Sequence, residues 1–217
     1  VLMGVMSQFD WAASSNSDLA QSQKGQGWMA GPYVSLRLAP QYFFDAAALW
    51  GRGSNEVSPF GFYTDSYATD RSLLTGKVSA EYGLNQFDIR PSVGVTYFSE
   101  KQNAYTDTNG LAIDANTNKL GRLAVGSEFI YHPDRAAVTG FDLSFGVTGT
   151  WDFYRSDAYT SYETLVDDPD MATEVDAGIS YRYANGARVK VGGGYAGVGS
   201  ADNSAYQARV SVNIPIP

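Results

Sequence analysis

The sequence contains no cysteine and a single histidine in 217 residues. A disulfide framework, a thiolate metal site and a cysteine nucleophile are therefore excluded. A serine–histidine–aspartate set would depend on His132 alone. The formal net charge is −8, so the chain lacks the basic surplus that is typical of nucleic-acid-binding proteins. We therefore expect no cofactor, no metal site and no nucleic-acid partner.

Long apolar runs are missing as well. No stretch approaches 18 consecutive apolar residues, which excludes a transmembrane helix. Membrane-spanning strands are not excluded, because their side chains alternate between lipid and lumen and the hydropathy averages out. Glycine (23 residues) and aromatic residues (14%) are abundant instead, and both suit β structure with small residues at crowded positions.

Apolar and polar residues alternate with a period of two from end to end, without a convincing helical stripe. The pattern predicts ten strands, most of about 10–15 residues and so longer than the roughly 5–6 residues usual in soluble sheets. A tilted crossing of a bilayer needs about 9–11 residues per strand. The predicted strands are 1–11, 27–38, 41–52, 70–82, 86–99, 118–131, 138–153, 172–183, 187–198 and 204–215.

The connections alternate in length. Those after the second, fourth, sixth and eighth strands are short turns, and those after the first, third, fifth and seventh are long and polar. This asymmetry is typical of an antiparallel up-and-down outer-membrane barrel. We therefore expect the long loops, about 12–26, 53–69, 100–117 and 154–171, to face the cell exterior, and turns such as Ala39-Pro40 to face the periplasm.

Alternation by itself also fits a soluble β-sandwich, so the inner face has to be chosen on other features. The apolar face stays apolar along whole strands, as in the predicted strand 138–153, and aromatic residues gather near the strand ends like the interface belts of a membrane barrel. The polar face carries charges of both signs at mid-strand depth. We infer that the polar face lines the lumen and that the apolar face contacts lipid. The predicted lumen-facing charged residues are Arg37, Asp45, Lys77, Glu81, Asp88, Arg90, Arg122, Glu128, Asp142, Asp176, Arg182, Arg188, Lys190 and Arg209.

Glycines recur on the same polar face, where they would make room for long charged side chains from neighbouring strands. Directly paired residues must share a face, so the hairpin at 181–195 requires a three-residue turn, Ala184-Asn185-Gly186, with Gly186 left-handed. A four-residue loop at 200–203 would then place Gly194 between Asp176 and Arg209. One expectation is that these two side chains form an ion pair across the glycine. The alternative is that glycines merely recur in this strand and that Arg209 pairs elsewhere.

Candidate chemical sites have ordinary explanations. His132 lies in a turn and is interpreted as structural or solvated, and the stretch 106–110 lacks the final glutamate of a calcium loop, so a turn is expected. The acidic group Asp167, Asp168 and Asp170 fits a solvated loop better than a divalent-ion site. Ion pairing with nearby arginines is the ordinary role for lumenal carboxylates. The protein is therefore predicted not to be an enzyme.

Several stretches resemble the β-domain of autotransporters, the translocators of type V secretion. The resemblance is carried, in chain order, by YFFDAAALWGRGSNE (42–56), FYTDSYATDR (62–71), RPSVGVTYFSEKQNAYTDTNG (90–110), LGRLAVGSEFIYH (120–132) and the alternating final strand. It implies a twelve-stranded barrel in the Gram-negative outer membrane, a linker through the pore and an exported N-terminal passenger. It also implies the barrel-assembly machinery as a partner, although the chain ends on Ile216-Pro217 rather than on an aromatic residue.

The resulting expectation is a single barrel domain over 1–217, truncated at its N-terminus by one hairpin relative to that family. Its predicted function is a non-catalytic translocator and membrane anchor for the passenger. The alternative is a free-standing small outer-membrane barrel that acts as a narrow pore or a surface adhesin. A ten-stranded surface protease would need its histidine at the long-loop rim, whereas His132 lies at the other rim. A soluble secreted β-sandwich would not remain in the membrane fraction.

Overall fold

The computed structural model describes residues 1–16, 21–59, 61–156, 171–198 and 205–214. All regular structure in these residues is β-strand. The described residues contain no helix that is long and apolar enough to cross a membrane. The ten long strands are β1 (Leu2–Asn16), β2 (Gln21–Ala39), β3 (Tyr42–Ser58), β4 (Asp65–Ala80), β6 (Phe87–Gln102), β9 (Asn116–Tyr131), β10 (Gly140–Ser156), β11 (Met171–Arg182), β12 (Arg188–Ala196) and β13 (Ala205–Asn213). Three short strands are β5 (Tyr82–Leu84), which continues β4 beyond Glu81, and β7 (Tyr105–Thr106) with β8 (Ala112–Ile113).

The long strands form one antiparallel sheet in which every strand pairs with its neighbours in sequence. The order β1-β2-β3-β4-β6-β9-β10-β11-β12-β13 confirms the predicted ten-stranded, up-and-down, all-β architecture. Within the described residues no pairing joins β1 to β13, so the sheet curls as a half-barrel with two free edges. The separate hairpin β7–β8 lies in the loop that connects β6 to β9.

The strands extend beyond their predicted ends mainly on the long-loop side. β2 begins at Gln21 instead of 27, and β3 ends at Ser58 instead of 52. The prediction stopped early because the outward positions of these extensions, such as Lys24 and Glu56, are no longer apolar. Backbone pairing continues there all the same, with Lys24 opposite Glu56. An apolar outward face is needed only where a strand contacts hydrocarbon.

The short turns follow the predicted pattern with one revision. Tyr183 and Ala187 close the turn 184–186 through their backbones, and Gly186 has φ 82°, which confirms the three-residue turn and its left-handed glycine. The turn expected at Gly83-Leu84-Asn85 is instead Asn85-Gln86, because Leu84 still pairs with Phe87. Asn85 takes φ 52° there, a conformation that asparagine tolerates better than most residues.

The outward face carries the apolar side chains. Val147 on β10 lies opposite Val175 on β11, and the outward residues Phe145 and Trp151 of β10 are about half exposed. Aromatic rings meet near the short-turn end, where the ring centroids of Phe87 and Tyr131 lie 4.9 Å apart. A second group of outward aromatics lies towards the long loops and contains Trp11, Trp28, Trp50 and Trp151. Two belts around an aliphatic band fit a bilayer-spanning sheet.

The inner face is not uniformly polar, which corrects the sequence-based picture. Met29, Ala47 and Leu49 are buried on the same face as Asp45, and Tyr33, Leu73 and Phe98 pack against them. This apolar cluster belongs to β2, β3, β4 and β6. It fills the concave side of that part of the sheet and leaves the polar space further along the lumen.

We predict that Val147→Arg lowers the free energy of unfolding by roughly 2–4 kcal/mol, the cost of an arginine at the lipid face near the bilayer midplane. Thr148→Arg, one residue along, is expected to cost far less because Thr148 lines the polar cavity. Urea titration of the protein folded in phospholipid vesicles measures both values. Equal losses for the two variants would contradict the assignment of the faces.

Candidate functional site

The concave face of the sheet encloses a polar cavity of about 600 Å³, to which every long strand from β2 to β13 contributes. Eight of the fourteen charged residues predicted for the lumen line this cavity. They are Asp45, Lys77, Glu81, Arg90, Glu128, Asp176, Lys190 and Arg209. The structure therefore brings charges from β3 to β13 around one space, although these strands are far apart in the sheet.

Glu128 on β9 is the centre of the ion pairs in this cavity. Lys190 Nζ on β12 lies 2.7 Å from Glu128 Oε1, and Arg90 on β6 lies 3.9 Å from its other oxygen and 3.3 Å from Glu81. Lys190 has to cross β11 and β10 to reach β9. It passes Gly178 on β11, where a Cβ atom would stand 3.1 Å from the lysine Cε. The absence of that side chain lets strands that are not neighbours be joined.

The expected Asp176–Arg209 pair is not formed, although both residues are described. Asp176 does lie opposite Gly194, as predicted. Gly194, however, pairs with Gln207, and Arg209 pairs with Gly192. Glu174 accepts a hydrogen bond from Gln207, and Arg209 donates to the same Gln207 at 3.3 Å.

The assumed loop length caused this error. The pairing runs out to Ala196 and Ala205, so the connection is 197–204 instead of 200–203. Most of that connection, 199–204, lies outside the described residues. A register slip of two residues keeps every side chain on its face, so alternation could not reveal it.

At the short-turn end, His132 sits between two buried aspartates. Its Nδ1 is 2.6 Å from Asp142 Oδ1 on β10, and its Nε2 is 2.9 Å from Asp88 Oδ2 on β6. Arg135 contacts Asp88 at 2.8 Å, and Arg188 approaches Asp142 at 3.8 Å. His132 is thus a buried structural residue that holds the turn after β9 against two strands.

The other predicted residues at this end bind backbone carbonyls. Arg182 donates to Ala137 O at 3.1 Å, and Arg37 donates to Pro40 O at 2.6 Å. With Asp88, Asp142 and Arg188, they form a charged rim and do not line the cavity itself. The sequence placed these residues on the inner face but did not separate the rim from the cavity.

The main ion-pair network towards the long loops is formed by residues that the sequence-based prediction did not include. Arg71 on β4 is only 11% exposed and binds both Glu100 on β6, at 2.8 Å, and Asp10 on β1, at 2.7 Å. To reach β1, its side chain crosses Gly53 on β3 and Gly27 on β2, where an added Cβ would collide with its guanidinium group. Paired inward glycines on adjacent strands, Gly27 opposite Gly53, were the signal that could have revealed it.

Arg122, the last of the predicted set, lies in a separate group near the same end. It makes a two-pronged contact with Asp152, at 2.5 and 2.9 Å, and Arg155 contacts the same carboxylate at 2.7 Å. Asp152 is almost fully buried, so this cluster pairs one buried carboxylate with two arginines. Such bidentate contacts between charged groups are among the stronger hydrogen bonds in proteins.

The loop candidates show no ion-binding geometry within the described chain. Thr108 donates to Asp65 through its backbone and its hydroxyl, at 2.8 and 2.7 Å, and Asp107 accepts from Leu111. The stretch 106–110 is therefore a turn tied to β4. Asp167, Asp168 and Asp170 lie outside the described residues, and the described ones contain no group of three side chains that would hold a metal ion.

A curled antiparallel sheet with an outward apolar face and charges in its lumen is the architecture expected of an outer-membrane barrel. The family model described as "Autotransporter beta-domain" matches residues 1–214. The chain belongs to this family. It is an outer-membrane translocator and anchor domain of a Gram-negative bacterium, and the family implies a passenger.

Solved structures of autotransporter domains share the fold at low sequence identity. The β-domain of Bordetella BrkA has a TM-score of 0.73 at 17% identity, with 98% of this chain and 78% of that chain covered. The translocator domain of NalP from Neisseria meningitidis has a TM-score of 0.75 at 15% identity and covers 98% and 75%. The transport unit of AIDA-I from Escherichia coli has a TM-score of 0.73 at 11% identity and covers 99% and 75%. No curated protein sequence matches the chain significantly.

We predict that Gly27→Val destabilises the autotransporter β-domain by roughly 1–3 kcal/mol, the usual cost of overpacking a filled space. The new side chain would meet the Arg71 guanidinium carbon, which lies 2.9 Å from an added Cβ, and would push Arg71 away from Asp10. The control is Gly149→Val on the outward face of β10, where the nearest heavy atom to an added Cβ is 3.9 Å away. Urea unfolding in vesicles compares the two, and a control as damaging as the test variant would refute the role of Gly27.

Proposed function

We propose that the autotransporter β-domain is a non-catalytic export channel and anchor, and that a linker between the passenger and the barrel occupies the lumen. The cavity is the observation that carries this proposal. Its lining includes carboxylates and cations on facing walls, from Asp45 on β3 to Arg209 on β13. Such a lining offers hydrogen-bond partners to a polypeptide backbone and to side chains of either charge.

Several of these charges remain available to a lumenal segment. All three of Asp45, Lys77 and Asp176 line the cavity. Within the described residues they form no ion pair, although Asp45 and Lys77 lie opposite each other on adjacent strands. A segment that entered the lumen would remove water from these charges, and a charge that loses its water is stabilised by a partner. A linker that passes these positions would supply that partner.

A non-catalytic role is supported by the position of the single histidine. Both ring nitrogens of His132 face carboxylates at the short-turn rim, so neither is directed at the cavity. We also propose that the barrel-assembly machinery inserts this domain, as the family membership suggests.

A linker in the lumen can be tested by disulfide trapping, because this chain has no cysteine. In the full-length protein in isolated outer membranes, Thr148→Cys is combined with single cysteines along the segment upstream of Val1. We expect trapping at some of these positions, since disulfides form only when the two Cα atoms come within about 7 Å. The control is Val147→Cys, which points outward. Failure of Thr148→Cys to trap any position, or equal trapping by Val147→Cys, would refute the proposal.

We further propose that this domain forms part of a twelve-stranded barrel, with two upstream strands inserted between β13 and β1. The free edges of these two strands support this proposal, as does the length of the similar structures, of which the chain covers 75–78%. An exposed edge strand leaves a row of unpaired backbone groups, which natural sheets avoid.

Hydrogen exchange of the full-length protein distinguishes an open sheet from a closed barrel. We predict that the backbone amides of β1 and β13 are protected as strongly as those of β6 in the middle of the sheet, because paired amides exchange only on opening. Fast exchange confined to alternate amides of β1 and β13 would show that the edges are free and would rule out the added strands.

A further inference from the structure

A second cavity lies on the outside of the sheet. A shallow groove of about 330 Å³ runs over β1, β2 and β3 towards their long-loop ends. Its lining includes the aromatic residues Phe9, Trp11 and Trp28 and the polar residues Gln26, Arg52 and Ser54. Phe9 lies opposite Trp28, and Trp28 lies opposite Arg52, so these side chains share the outward face. The groove therefore combines an apolar wall with a cationic rim on the lipid side of the protein.

Arg52 is not held in place by its protein contact. Its Nε lies 3.2 Å from Asp70 Oδ1, but the arginine side chain is 77% exposed. Ion pairs this exposed contribute little to stability. The contact uses Nε only, and the two terminal nitrogens remain available as donors. A guanidinium fork of this kind matches the geometry of a phosphate group.

The distribution of outward cations is one-sided. In the described strands, the outward-facing cations are Lys24, Arg52, Lys101 and Lys119, and all of them lie beyond the tryptophan belt at the long-loop end. The outward positions at the short-turn end are occupied by aromatic residues such as Tyr42, Tyr82 and Phe87. A cation next to a belt residue lies at the depth of lipid headgroups. The outward acids Glu56 and Asp70 lie at the same end, opposite Lys24 and Arg52, so one headgroup layer meets charged residues and the other meets aromatic residues.

We propose that the outward groove binds a phosphorylated glycolipid of the outer leaflet, with a phosphate at Arg52 and an acyl chain against Phe9 and Trp28. In a Gram-negative outer membrane, phosphorylated glycolipid fills the leaflet that faces the exterior. The assignment rests on the expectation that the long loops face outward. Lys101 lies on the other side of Asp70, two strands or roughly 10 Å from Arg52 along the same row, and is placed to meet a neighbouring phosphate.

The test is a titration of the full-length protein, in neutral detergent micelles, with fluorescently labelled lipid A. We expect Arg52→Gln to weaken binding about tenfold, because a charge-assisted hydrogen bond to phosphate is lost. The unmodified protein should bind dephosphorylated lipid A, from which both phosphates have been removed, with a reduced affinity. This affinity should equal that of the Arg52→Gln variant for intact lipid A. Heat-dependent gel mobility verifies that each variant is folded.

Two further variants exclude an effect of bulk charge. Arg52→Gln combined with Asp70→Asn keeps the net charge of the unmodified protein and should still lose the affinity. Arg37→Gln removes one cation from the inward rim at the short-turn end and should bind normally. The proposed site would be overturned if both Arg52 variants bound lipid A normally. It would also be overturned if the unmodified protein bound dephosphorylated lipid A as tightly as intact lipid A. Equally tight binding of phosphatidylglycerol would overturn the glycolipid assignment. Neither result bears on the lumenal linker, which disulfide trapping tests separately.

Discussion

The structure depends on fitting long charged side chains inside a narrow curled sheet. A strand that contacts lipid sends every second side chain inward, and the inward space is shared by ten strands. Glycine resolves the crowding. Lys190 crosses Gly178 to reach Glu128, and Arg71 crosses Gly53 and Gly27 to reach Asp10. These contacts join strands that share no backbone hydrogen bonds, so they help to hold the curvature of the sheet.

The contents of the lumen change from one end to the other. His132 and its two aspartates fix the short-turn rim, the polar cavity follows, and the cluster around Leu49 and the Arg71 network fill the side of β2, β3, β4 and β6. The networks around His132 and Arg71 pair their charges within the protein and hold the strands that carry them together. Among the described residues, Asp45, Lys77 and Asp176 in the cavity form no ion pair, and the proposed linker would lie beside them. Outside, the two belts meet different headgroup layers.

The assignment of side chains to two faces follows from the period of two, and the strand order follows from the alternation of short turns and long loops. Even the three-residue turn at 184–186 could be derived, since Tyr181 and Val189 must share a face. The partners of the charges could not be derived in the same way. The Asp176–Arg209 pair failed on a two-residue slip that leaves the faces unchanged. Arg71 was missed because its partner Asp10 lies three strands away.

Alternation, turn chemistry and loop lengths by themselves determined that this chain is an antiparallel barrel sheet whose charged side chains lie mainly on the inner face, and the ordered motifs indicated its family. These properties are local, because each depends on residues that are adjacent along the chain or across one turn. The tertiary structure alone decided which charges meet, where the lumen is filled by Met29 and Leu49, and where an outward groove forms beside Arg52. Those outcomes depend on the register and curvature of many strands together, and a side chain that reaches across two glycines obeys no sequence spacing.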